Sequence, residues 1–284
     1  MRILWYVLVL SLTLVFTSTA LAADAPDSDI SETSVSGATS AMISFHSGPD
    51  SDSGLQDVTN LKLRIERAGV VAIDAPLVLE SCGEPSCRPF ALTAPANAPR
   101  VLVRDIDVDD EPEILVGVFS GGAHCCTTLV VFDWNGAEYT RVVEDFLDSG
   151  ISLRNLDKGR ALEMLTYDAR YAYVFTSYAE SWKPVQVKRF QGGAVIDVSK
   201  QFPFLLKQDA FRALKAARQQ CKAGPESGST IGLYTGWAAD QYRLGLRLQT
   251  IVNLRNEAKR SCLFPTINPS ATIVKIDRFV RSVK

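Results

Sequence analysis

The sequence predicts an α+β protein, an antiparallel β meander followed by a C-terminal α-helical region. Three observations carry this prediction. Up to Pro203 the apolar residues alternate in short runs separated by turn residues, the period of half-buried strands. Beyond Pro203 the apolar spacing lengthens to three and four residues, the period of an amphipathic helix. The 46% hydrophobic and 22% charged content is that of a globular chain, which excludes collagen-like, wholly disordered and polytopic membrane architectures.

The chain opens with Arg2 and an apolar run from Ile3 to Phe16, ending in Ala20-Leu21-Ala22. That is the pattern of a cleaved export signal over residues 1–22, and the run is too short to span a bilayer. Residues 23–57 hold seven acidic residues, no Lys or Arg, and few large apolar side chains. They read as an acidic disordered linker.

A β domain is expected over 58–203. Leu61-Lys62-Leu63-Arg64-Ile65 alternates and passes through Ala68-Gly69 into Val70–Ile73, a hairpin pattern. Further strand runs are Val101–Val103, Ile114–Phe119, Thr127–Phe132, Tyr139–Val143, Tyr171–Thr176, Val185–Phe190 and Val195–Val198. Asn135-Gly136 and Gln191-Gly192-Gly193 supply the turns. The helical region spans 204–284. Leu206, Ala210, Phe211, Leu214, Ala217 and Cys221 form one stripe, which Gly224-Pro225 ends. A second helix is expected over 231–258, with Trp237, Gly245, Leu248 and Val252 on one face and Gly232, Gly236 and Gly245 at close backbone approaches. A last helix over 270–283 turns Ile273, Ile276 and Val280 inward.

The net charge of −2 is a cancellation, because residues 207–284 carry fourteen basic and five acidic residues. Arg243 and Arg247 recur with Arg255 and Lys259 near helical spacing, a candidate binding stripe for an anionic partner. Nucleic acid is not expected as a partner, and no membrane span follows the signal.

All six cysteines lie in the exported part, where disulfides persist. Cys82 and Cys87 flank a Gly83-Glu84-Pro85-Ser86 turn, and Cys221 and Cys262 fall near helix ends. Closing the latter loop stabilises by about 4 kcal/mol on the chain-entropy estimate. His124-Cys125-Cys126 admits a vicinal disulfide, a soft-metal site, a Cys–His nucleophile, or cysteines paired elsewhere.

Asp105, Asp107 and Asp109 alternate in one tight loop, followed by Glu111 and Glu113. Alternate positions of such a loop point inward together, and hard cations such as Ca²⁺ collect six to eight oxygens this way. An EF-hand would need helical flanks and a glutamate at position 12, where Val116 stands. Glu113 at position 9 supplies the closing carboxylate instead.

This loop, followed by Ile114-Leu115-Val116, resembles the calcium loop of FG-GAP or VCBS-type repeats. Phe119-Ser120-Gly121-Gly122-Ala123-His124-Cys125-Cys126 resembles a segment of exported bacterial proteins of that group. Asn155-Leu156-Asp157-Lys158-Gly159-Arg160-Ala161-Leu162-Glu163 is similar to a second, decayed copy, from which metal is not expected. Asp110 stands where the group usually has glycine. The resemblance implies propeller-blade-like repeats, a Ca²⁺ cofactor and a role in adhesion or binding. The β region has room for about three repeats of about fifty residues, fewer than a closed propeller needs, so an incomplete propeller or open curved sheet is expected.

The resulting expectation is an exported, periplasmic or extracellular, non-enzymatic binding protein stabilised by calcium and disulfides. Its partner would be a glycan, a cell-envelope polymer or a protein. His124, Tyr171, Arg243 and Arg247 are the candidate binding residues. The alternative is a secreted hydrolase pairing Asp168 with Glu163 or Glu180, or a redox or metal-handling protein built on His124-Cys125-Cys126. No nucleophile elbow, zinc motif, phosphate loop or dinucleotide fingerprint occurs.

Overall fold

Three antiparallel sheets precede four helices in the computed structural model, which describes residues 27–50, 56–82, 87–93, 98–122 and 125–283. The expected export signal over 1–22 lies outside these residues. Strands β1 (Ser28–Ser36), β2 (Thr39–Asp50), β3 (Gln56–Arg67) and β4 (Val70–Pro76) form the first sheet in chain order. The second contains β5 (Arg88–Phe90), β6 (Val101–Arg104), β7 (Glu113–Gly122), β8 (Cys125–Trp134) and β9 (Tyr139–Asp145). Here β5 and β6 pair with successive parts of β7, which pairs with β8, which pairs with β9. The third is β10 (Ser152–Arg154), β11 (Glu163–Tyr167), β12 (Val185–Gln191) and β13 (Ala194–Asp197), again in chain order.

The middle sheet is buried on both faces. Ile114, Val116 and Val118 of β7, with Val130 and Phe132 of β8, pack with Ile43, Leu63 and Ile65 of the first sheet. The residues between them, Leu115, Leu129 and Val131, pack with Leu153, Met164 and Phe190 of the third sheet. The two-residue period of a strand sends alternate side chains to opposite faces, so one apolar run serves two cores. The sheets stack and do not close into a barrel.

Residues 28–50 correct the linker expectation, because they form β1 and β2. Ala41, Ile43 and Phe45 occupy the buried face of β2 at alternate positions. Two half-buried polar residues of β1 have partners outside their own sheet. Glu32 accepts the Arg100 backbone N–H at 2.7 Å and pairs with its guanidinium at 3.1 Å, and Ser34 accepts the Val103 N–H at 3.0 Å. Polar composition therefore concealed a strand whose polar groups are bonded to a neighbouring sheet.

Helix α1 (Pro203–Ala223) turns Leu206, Ala210, Ala213 and Ala217 inward, while Phe211 is 68% exposed. Asp209 of α1 accepts Trp182 Nε1 and the Val185 N–H, both at 3.0 Å, tying the helix to the start of β12. The expected second helix is two helices, α2 (Ile231–Arg243) and α3 (Arg247–Lys259), broken at Gly245 with φ +81°. Leu248 and Val252, expected to share one face with Trp237, are exposed, whereas Trp237 is buried. Helix α4 (Pro269–Ser282) turns Ile273, Ile276 and Val280 inward as its spacing predicts. Cys82–Cys87 and Cys221–Cys262 are disulfides, with Cα separations of 5.2 and 5.1 Å.

Tyr171–Thr176 is not a strand. It follows a short 3-10 turn, Ala169–Tyr171, and leads to another at Tyr178–Glu180. Glu180 holds this connection to the helices, accepting hydrogen bonds from Thr176 Oγ1, Ser177 Oγ and the Ser229 N–H. These donors lower its pKa to about 2, with Thr176 contributing most. A carboxylate whose pKa is depressed on folding stabilises fully above its unfolded value and loses that stability as pH falls through the folded one. The thermal midpoint should therefore fall between pH 4.5 and about 2 in the native protein. Glu180→Gln should start lower at neutral pH and fall less over that window, as calorimetry across pH would show.

At Gly232 the backbone of α2 lies against this connection, where a Cβ would sit 2.5 Å from the Glu180 carbonyl oxygen and 3.1 Å from Ser181 Cα. Gly232→Ala should cost about 1–3 kcal/mol of stability in denaturant unfolding, whereas Gly150→Ala, where nothing lies within 4 Å and φ is not positive, should cost less.

Candidate functional site

The acidic loop connects β6 to β7, and its backbone is coiled around its own carboxylates. Asp105 Oδ1 accepts the Val108 N–H at 2.6 Å, and Oδ2 accepts the Asp110 N–H at 3.3 Å. Asp109 Oδ1 accepts the Glu111 N–H at 2.8 Å. Val108 and Asp110 take left-handed φ values of +73° and +72°. Valine is rare in that region, so the surrounding bonds hold it there.

Glu113, the first residue of β7, is fully buried and reaches back across the loop, its Oε2 accepting the Ile106 N–H at 2.8 Å. Ile114 pairs with Phe132, and the antiparallel register beyond that pair sets Asp133 beside Glu113. The carboxylates of Asp105, Asp107 and Asp109 bring oxygens within 4.8 Å of one another, and those of Asp109, Glu113 and Asp133 do the same. Two oxygens of this group, Asp107 Oδ1 and Glu113 Oε1, are buried without a hydrogen-bond partner.

The electrostatics match a site short of positive charge. Burial pushes the Glu113 carboxyl up to about 8, against the Ile106 N–H, with Asp107, Asp109 and Asp133 adding to the rise. Burial also raises Asp107, with Asp109, Asp133 and Asp105 behind it, and raises Asp133, with Asp109 behind it. An all-oxygen set with two orphaned acceptors fits a hard divalent cation, and Ca²⁺ in particular tolerates such an irregular shell. Asp133 escaped the sequence reading because it lies twenty positions beyond Glu113 on another strand. Glu111 does not join the group. Its side chain turns away to Arg67, 2.7 Å off.

The loop between β10 and β11 repeats this geometry fifty positions later. Glu163 Oε2 accepts the Leu156 N–H at 2.8 Å, and Lys158 is left-handed at φ +63° in the place of Val108. The register partner of Glu163 is Arg189, where the first loop has Asp133. Its guanidinium bonds Glu163 Oε1 and reaches Asp157 Oδ2 at 3.0 Å. One loop therefore holds a fixed cationic side chain at the position where the other holds a fifth carboxylate. The loops touch: the Leu162 N–H donates to the Ile106 carbonyl at 3.0 Å, and Arg160 reaches Asp110 at 3.0 Å.

The remaining sequence candidates scatter. Tyr171 is buried and packs edge-on against Phe279, and with Arg243 it lines a cleft of about 270 Å³ between the third sheet and the helices. Arg243 is bonded to Asp168 at 3.0 Å and to the Val185 carbonyl, so it is not a free binding cation. Arg247 is clamped on Asp277, which it lowers to about 2. Asp168 is held by Arg170 and Arg243, Glu163 by Arg189, and Glu180 by its donors. The proposed hydrolytic pairs are thus engaged structurally. His124 and the Cys125 side chain, and with them the vicinal pairing, lie outside the described residues. No described cysteine is free.

Two relatives match part of the chain. A probable thylakoid lumen protein of Synechocystis sp. is 33% identical over 114 residues, covering 38% of this chain and 34% of that protein. An uncharacterized protein of Sinorhizobium fredii is 28% identical over 136 residues, covering 48% of this chain and 21% of that protein. The chain thus spans about a third of the length of one relative and about a fifth of the other. No family model matches it. No solved structure matches it.

Arg189→Met would leave Glu163 buried without its counter-charge. It should lower stability by about 3–5 kcal/mol, read from the urea midpoint, and Arg189→Lys should recover part of the loss.

Proposed function

We propose that this chain is an exported or lumenal binding protein of the FG-GAP/VCBS-like kind whose β6–β7 loop holds one Ca²⁺ ion. The observation that carries the cation is the pair of buried, unpartnered oxygens, Asp107 Oδ1 and Glu113 Oε1, among five converging carboxylates. Asp105, Asp107, Asp109, Glu113 and Asp133 would be the ligand residues. The location is supported by the two disulfides and by the relative named as a thylakoid lumen protein.

The repeat reading is supported by the two loops fifty positions apart, each closed by a buried glutamate at the start of the following strand. In this reading the ion stiffens one edge of the middle sheet and presents a fixed surface to a partner. That partner is a glycan, a cell-envelope polymer or a protein. Tyr173 and Tyr178, with ring centroids 5.5 Å apart, offer a surface aromatic pair of the kind that meets sugar rings. The engagement of Asp168, Glu163 and Glu180 favours binding over hydrolysis.

Ca²⁺ should raise the thermal midpoint of the purified protein. A hundredfold excess over Kd would stabilise it by about 2.7 kcal/mol. Asp107→Asn and Glu113→Gln should each abolish the shift while leaving the fold intact by circular dichroism. Asp157→Asn, in the second loop, should leave the shift in place. An unchanged midpoint for the native protein at millimolar Ca²⁺ would remove the cation from the proposal.

A further inference from the structure

We propose that the outer face of α1 is a docking surface for an anionic lipid bilayer. Phe204, Lys207, Phe211, Lys215 and Lys222 follow one another at intervals of three, four, four and seven residues. At 100° per residue they fall in one stripe about 80° wide and about 27 Å long. Phe204 is 73% exposed and Phe211 68% exposed, and all three lysines are exposed. None of these lysines has a carboxylate partner among the described residues. The one acidic residue of α1, Asp209, is buried on the opposite side, where it bonds Trp182 and Val185.

Core packing does not require these rings. The inward face of α1 is complete with Leu206, Ala210, Ala213 and Ala217, so the phenylalanines stand in water on a helix that is already anchored. A phenyl ring has no hydrogen-bonding group, and what it gains is transfer from water to a hydrocarbon-like environment. Lysines on the same face add attraction to a negative surface, and their aliphatic stems let the ammonium groups stay at headgroup level. Apolar rings on a face rich in lysine and lacking carboxylate are the composition of a helix lying in the plane of an interface. A second copy of the chain is disfavoured as the occupant, because two such faces would meet lysine to lysine. A soluble anionic polymer would use the lysines and leave both rings wet.

Several arginines of the helical region are compensated by carboxylates instead. Arg218 pairs with Glu257, Arg247 and Arg281 with Asp277, and Arg212 with Asp209. The outer stripe of α1 is where uncompensated positive charge coincides with exposed aromatic rings.

Co-sedimentation with vesicles tests the proposal. The purified protein should bind vesicles of equal parts phosphatidylglycerol and phosphatidylcholine, bind pure phosphatidylcholine much more weakly, and release with added salt. Lys207→Glu and Lys215→Glu should each weaken binding about fivefold or more. Phe204→Ser with Phe211→Ser should weaken it about tenfold or more at unchanged far-ultraviolet circular dichroism. These substitutions lie far from the acidic loop, so the result does not depend on whether that loop binds Ca²⁺. Absence of binding to the anionic vesicles would overturn the proposal. So would equal binding to neutral ones, or sedimentation as a dimer that the phenylalanine variants dissolve. Binding to dextran sulfate that equals vesicle binding and survives the phenylalanine variants would assign the face to an anionic polymer instead.

Discussion

A buried glutamate that reaches back across its own loop is the constraint on which the β region turns. Glu113 and Glu163 each sit at the start of a strand with no exposure, and each accepts the N–H of the residue seven positions earlier. That bond closes the loop and fixes where the strand begins, so register follows from it. A carboxylate removed from water is costly unless it meets a counter-charge or keeps a proton. The two loops meet that cost differently. Arg189 answers Glu163 directly, while Glu113 faces Asp133 and is left with an orphaned oxygen and a pKa pushed up to about 8. Near-identical backbone geometry thus carries opposite local charge: Asp105, Asp109 and Asp110 give way to Asn155, Gly159 and Arg160, and the partner on the following strand changes from Asp133 to Arg189.

That partner is also where reading the sequence falls short. Within the loop, Asp105, Asp107, Asp109 and Glu113 are visible because alternation and the position-nine carboxylate are local patterns. Asp133 and Arg189 are distant in sequence and reach their loops only through strand pairing. Glu111 shows the converse: it belongs to the pattern yet is drawn off by Arg67, which itself stacks on Trp134. Local spacing identifies which residues are available, and tertiary neighbours select among them.

The fold divides along the same line. Ala68-Gly69 and Asn135-Gly136 mark hairpins in the sequence because their turns are local chemistry, with Ala68, Gly69 and Gly136 all at positive φ. Residues 28–50 were obscured because composition averages over both faces of a strand. The buried apolar side chains of β2 are Ala41, Ile43 and Phe45 in a segment otherwise dominated by Ser, Thr, Gly and Asp, and β1 carries half-buried polar groups that bond Arg100 and Val103. The helical region was readable by period, but not by face. Phe211 is apolar and near the inward stripe of α1, yet Ala210 takes the inward position and Phe211 is left outside.

The charge along the chain gains a physical meaning from these placements. Residues 207–284 carry an excess of nine positive charges by sequence, which alone says little about partners because most arginines there are consumed internally. Arg218, Arg243 and Arg247 each bond carboxylates with little exposure of their own, and these carboxylates would be expensive to bury alone. Planar guanidinium forks suit that work, since they satisfy two oxygens at once. Lysine, a strongly hydrated point charge, is left to the outer surface, as at Lys207, Lys215 and Lys222. The division of labour between the two cations therefore separates the charge that holds the helices together from the charge that is free to meet something else.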